Sequence, residues 1–97
     1  MMYVATVRAE FHLPHAQSLK DKRQVMNRVK DRLRATHAAV AEVDHTDKWQ
    51  RAALGMAVVT GDPRGLDEML QSLRDIVERV PEIVVLDWIV RHHESPS

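Results

Sequence analysis

The sequence predicts a single α+β domain of βαββαβ order. Three observations carry this: a first segment that alternates apolar and polar residue by residue, two amphipathic helices, and a polar break between two further strand-like runs. Ninety-seven residues suit one domain. That domain is expected over residues 1–91, with 92–97 a flexible C-terminal tail.

Tyr3 to Leu13 places Tyr3, Ala5, Val7, Ala9, Phe11 and Leu13 on one side and Val4, Thr6, Arg8, Glu10 and His12 on the other. That period of two is the mark of a half-buried strand, and Pro14 stops it by lacking a ladder N–H. Ser18 stands three residues before Asp21, a capping-box variant, and Leu19, Val25, Met26, Val29 and Leu33 then form a helical stripe. Ala38–Val43 reads as a short strand, Asp44–Lys48 as a hairpin loop, and Trp49–Thr60 as a third strand. Gly61-Asp62-Pro63 supplies a turn, an N-cap and a proline for the first helical position. The second helix carries Leu66, Met69, Leu70, Leu73, Ile76, Val77 and Val80 and halts at Pro81; Ile83–Arg91 is the last strand. Two βαβ halves joined by a hairpin predict the ferredoxin-like split βαβ fold, a four-stranded antiparallel sheet of order 4-1-3-2 with both helices on one face.

The other sheet face is where function is sought first. It holds Val4, Thr6, Arg8, Glu10 and His12 beside Arg51, Ala53, Gly55, Ala57 and Val59. In the last strand the alternation leaves two choices open, Val84/Leu86/Trp88/Val90 or Ile83/Val85/Asp87/Ile89. RNA-binding sheets of this architecture stack bases on central aromatics, and none stands there. Small side chains beside Val4 and Val59 instead suggest a face that meets a second copy of the chain, a homodimer through the open sheet.

Lys+Arg and Asp+Glu balance at 14 each, but unevenly along the chain. Ser18–His37 holds seven Lys or Arg against two Asp, a local excess of +5. Lys20, Lys22 and Arg23 crowd the start of the first helix, where the dipole disfavours cations and free N–H groups favour an anion. Lys20, Arg23, Asn27, Lys30 and Arg34 share one stripe that can follow a nucleic-acid backbone. Trp49 enters the third strand either as a lid on the core or as a stacking platform for a base, with Arg51 on a phosphate or paired across the hairpin with Glu42. Trp88 reads as core or dimer contact.

Other chemistries find less support. The absence of cysteine excludes disulfides, thiol nucleophiles and thiolate metal sites. His12, His15, His45, Asp44 and Asp47 lack metal-ligand spacing, so neither metal nor cofactor is expected. There is no Gly-rich phosphate loop and no nucleophile elbow; Glu10 with His12 is the only acid/base pair to consider. No apolar run approaches a membrane span and no leader is apparent, so the expected location is cytoplasmic.

Ser18-Leu19-Lys20-Asp21-Lys22-Arg23, Ala41-Glu42-Val43 and Trp49-Gln50-Arg51-Ala52 with Leu54-Gly55 resemble the YlxP-like family of small bacterial proteins, over about residues 1–91. The resemblance implies a ferredoxin-like fold. Genes of that family commonly accompany transcription elongation, translation initiation and ribosome maturation factors, which implies a role near RNA or the small ribosomal subunit. The expectation is thus a non-enzymatic RNA- or ribosome-associated protein contacting phosphates through Lys20, Lys22, Arg23, Lys30 and Arg34, with Arg51 and Trp49 alongside. The alternative is a homo-oligomeric interaction module that takes a protein or small anionic ligand at the same helix start. Asp44–Lys48 departs from the family's usual short acidic turn.

Overall fold

A computed structural model describes residues 1–95, with side chains through His93. The elements are β1 (Met2–His12), α1 (Leu19–Arg34), β2 (Ala39–Asp44), β3 (Arg51–Thr60), α2 (Pro63–Glu78) and β4 (Val84–Ser95). The strands pair antiparallel in the order β2-β3-β1-β4, the ferredoxin-like topology expected from the element sequence. No helix among the described residues is long and apolar enough to cross a membrane.

The alternation of β1 translates directly into packing. Ala5, Val7, Ala9 and Phe11 are buried under the helices, as are Ala52, Leu54, Met56 and Val58 of β3. Met26, Val29 and Leu33 of α1 and Leu66, Leu73 and Val77 of α2 close the core from above. Each such large side chain contributes about 1.5–3 kcal/mol through burial. Asp62 caps α2 by accepting the Arg64 N–H at 3.1 Å, and Pro63 follows at its first position.

β2 covers Ala39–Asp44, one residue on from the expected Ala38–Val43, and three larger differences from the sequence expectation stand beside it. The β1–β4 register slips between Glu10 and Phe11 of β1, leaving Leu86 of β4 as an extra residue. The bulge reverses the alternation, so Val85, Trp88 and Val90 all face the core while Val84, Leu86 and Ile89 are exposed. Neither of the two regular choices is therefore correct. The second correction concerns the tail: residues 92–95 continue β4, because β1 reaches back to Met2 and offers them ladder partners, Ala5 to His92 through Met2 to Ser95. Residues 96 and 97, the end of the expected flexible tail, lie outside the described residues. Third, β3 begins at Arg51, since Trp49 and Gln50 bend away where the Gln50 side chain is held elsewhere.

Candidate nucleic-acid interface

The start of α1 is built by a reciprocal cap. Ser18 Oγ accepts the Asp21 N–H at 3.0 Å, and Asp21 Oδ2 accepts the Gln17 N–H at 3.0 Å. With the helix so positioned, the 3.6-residue period sends Lys20 and Arg23 outward and both are exposed. Asn27 and Arg34 continue that exposed stripe, with Lys30 half-buried in line and Arg34 donating to the Val40 carbonyl at 3.0 Å. The stripe therefore borders the β2 edge.

Lys22 does not belong to it. The same period turns Lys22 onto the apolar stripe with Met26, Val29 and Leu33, and its side chain is 2 % exposed. Its Nζ lies 3.0 Å from Glu42 Oε1, an ionic contact off the hydrogen-bonding angle, and donates to the His45 carbonyl. The expectation that Lys22 contacts phosphate is overturned: the ammonium is consumed inside the protein, tying α1 to the β2–β3 loop.

That loop is fastened at both ends. His45 takes the left-handed conformation at φ 60°, and its carbonyl also accepts the Lys48 N–H at 3.1 Å. On the other side the Gln50 amide donates to the carbonyls of Ala16 at 3.1 Å and Pro14 at 3.4 Å, and Gln50 O accepts the Leu13 N–H at 3.0 Å. Between these anchors Trp49 is 53 % exposed. It is not a lid on the core. Its indole therefore offers an aromatic surface to solvent, in a segment tied to the β1–α1 connection through Gln50.

Arg51 is also reassigned. Register places it opposite His12, whereas Glu42 stands opposite Leu54 and turns toward Lys22. Arg51 instead forms an ion pair with Glu10 on the open face. Glu10 Oε1 further meets His45 Nε2 at 3.1 Å and Arg8 at 3.4 Å, and Arg8 reaches Asp44 at 3.4 Å. The hydrogen bond from His45, followed by that from Arg51, lowers the Glu10 carboxyl to about 2 against a desolvation effect that opposes it. Ala53 is fully buried outside the main core, directly opposite Glu10. Glu10 and His12 do not bond to each other; His12 Nδ1 donates to the Gln50 carbonyl at 3.0 Å. Beyond this cluster the open face sinks into a shallow trough of about 500 Å³ between Val43, Arg8, Gly55, Ala57, Ile89 and Arg91. Gly55 leaves room there for Val43, whose Cγ1 would stand 2.9 Å from a Cβ at position 55 and would have to turn aside.

The structure thus gathers Lys20, Arg23 and Arg34, with the half-buried Lys30, along one outward stripe, and leaves Trp49 exposed in the segment that Gln50 ties to the β1–α1 connection. It withdraws Lys22 and engages Arg51. The spacing of Lys22, Met26, Val29 and Leu33 at i, i+4, i+7 and i+11 was the available signal that Lys22 faces inward. The Gln50 clamp and the His45–Glu10 contact are long-range and had none.

Residues 4–90 match the family described as Protein of unknown function (DUF503). Over 69 residues the chain is 32 % identical to the uncharacterized protein YlxP of Bacillus subtilis (strain 168), spanning 70 % of this chain and 75 % of that protein. Among solved structures, the de novo designed protein Foldit4 aligns at a TM-score of 0.59 and 9 % identity, over 98 % of this chain and 99 % of the design. A hydantoinase/carbamoylase family amidase from Burkholderia ambifaria aligns at 0.57 and 11 % identity over 96 % of this chain but 28 % of the amidase. Those two likenesses concern the fold alone. By sequence, the chain belongs to the DUF503 family, of which YlxP is a relative.

Proposed function

We propose that the protein is a non-enzymatic RNA-binding protein acting at the ribosome, gripping a single strand with the outer side of α1 and Trp49. The observation that carries this reading is the exposed Trp49, in a loop that Lys22 ties to the cationic helix and Gln50 to the connection that precedes it. A flat aromatic surface in a loop tied to a cationic helix suits a stacked base whose phosphates run along Lys20, Arg23, Lys30 and Arg34. Lys22 and Gln50 act through position: they hold the loop that carries the indole. The family's genomic company with translation and ribosome maturation factors points in the same direction.

The test is binding to ribosomal RNA by fluorescence anisotropy over a salt series. Four phosphate contacts give a slope of log affinity against log salt of about −3. Lys20→Glu/Arg23→Glu is expected to reduce that slope by about 1.5 without lowering the melting temperature, since acids suit a helix N-terminus. Full affinity in this variant overturns the reading. In that case thermal stabilisation of the wild type by phosphate would favour the alternative, a small anionic ligand at the same helix start.

A further inference from the structure

The geometry points to a second interaction surface, the free edge of β4, whose occupant is β4 of a second copy of this chain. The two edges of the sheet are unlike. β2 is six residues long, bulged between Glu42 and Asp44, and carries both of those acids. β4 is bulged too, but runs on past its bulge for the length of Asp87–Ser95 without proline, and its Asp87 and Arg91 are of opposite sign where the two charges of β2 are both acidic.

Which backbone groups the edge offers follows from parity. The Leu13 N–H bonds to Gln50 O, so the odd residues of β1 bond to β3 and the even ones to β4. Ala9 and Val7 stand opposite Trp88 and Val90, which consequently turn their N–H and C=O groups outward. The Trp88 N–H has no strand to donate to and is met by its neighbour's Asp87 Oδ1 at 3.0 Å. A side chain here stands in for an absent strand.

Two antiparallel copies of β4 related by a two-fold axis must centre on a residue, since opposed residues share a face. Centring on Ile89 sets Asp87 against Arg91 of the second copy, twice by symmetry. Trp88 and Val90 then exchange backbone hydrogen bonds across the axis, and Asp87, released from the Trp88 N–H, takes up the opposing guanidinium. Asp87 and Arg91 are both exposed, and neither forms an ion pair among the described residues. Within its own chain Asp87 faces the like-charged Glu10, so the partner's arginine is the complementary neighbour it lacks. The pairing also covers Ile89, 38 % exposed, and the half-buried Trp88 ring over which Arg74 lies at 5.1 Å. The product is a continuous eight-stranded sheet that leaves α1 and Trp49 at its outer ends.

Sedimentation of the full chain across micromolar concentrations tests this. The wild type is expected to be a dimer, and Asp87→Arg or Arg91→Asp to weaken association about tenfold or more by opposing like charges twice. Asp87→Arg/Arg91→Asp restores the dimer, and mixing the two single variants yields a heterodimer, because each supplies the charge the other needs. Circular dichroism of each variant confirms that it is folded. A monomeric wild type overturns the proposal. So does a dimer that persists in both single variants, which would put the contact on the open sheet face, and so does failure of the double variant or the mixture to associate.

Discussion

The two sides of the first turn of α1 carry the same residue type to opposite ends. Lys20 is exposed and Lys22, two positions on, is 2 % exposed against Glu42 and the His45 carbonyl. The outer side holds charge in water, where it costs little and is available to a ligand. The inner side spends its charge on joining a helix to a hairpin loop. A count of basic residues weighs the two equally; their surroundings separate stability from recognition.

Breaking the inner side gives the largest effect expected. Lys22→Met keeps most of the aliphatic stem but leaves Glu42 facing the helix without its cation. Only Lys22 is buried, and the Glu42 side chain is 21 % exposed, so the loss falls below that of a fully buried pair, at about 2 kcal/mol, which in a domain this size lowers Tm by about 10 °C. Lys20→Met stays within about 0.5 kcal/mol. Calorimetry of the two variants makes the comparison, and equal melting temperatures would refute it. Lys22→Met/Glu42→Leu should recover most of the loss, since an apolar pair can replace a buried ionic one.

This contrast also explains what was legible in the sequence. β1 and both helices are periodic over ten or more residues, so their buried faces follow from spacing alone. The β4 phase was unreadable because a single extra residue, Leu86, reverses it, and nothing local marks that residue. The polar His92–Glu94 run resembles a tail until β1, ninety residues away, is known to extend to Met2. At the site, the outward stripe was readable from helical spacing. The exchange of partners, Glu42 to Lys22 and Arg51 to Glu10, depends on the β2–β3 register and its bulge, which tertiary structure alone supplies.

A middle-sized effect sharpens the comparison on the outer side. Trp49→Ala should weaken RNA binding by about 1–3 kcal/mol, the range of one stacked base, and lower stability little because the indole is already more than half in water. Trp49→Phe should retain part of the affinity through its smaller ring. Gln50→Ala leaves the indole in place chemically but frees its backbone from Pro14 and Ala16, and is expected to reduce affinity less than Trp49→Ala does. Anisotropy titrations of the three variants at one salt concentration rank them. Affinity lost in Gln50→Ala but kept in Trp49→Ala would mean that the loop, not the ring, makes the contact.

The last effect lies on the open face, where it is present at neutral pH and is lost in acid. Glu10 has a folded carboxyl at about 2 against an ordinary 4.5, chiefly through the His45 hydrogen bond and then through Arg51. A carboxyl lowered in the folded state contributes stability that is complete above the unfolded value and disappears as pH falls through the folded one. The window is therefore pH 4.5 down to about 2, and urea midpoints should fall across it. Glu10→Gln should show a lower midpoint at pH 7 and a flatter acid limb, the two proteins converging toward pH 2. Its RNA affinity should equal that of the wild type, because Lys22 and Gln50 still hold the Trp49 loop when the His45 ring loses its partner. An acid limb as steep as the wild type's would assign the pH dependence to other carboxylates, Glu82 beside Arg28 being the next lowered. A loss of affinity would show that the loop depends on the open face as well as on α1, and the separation of the two sides would then be incomplete.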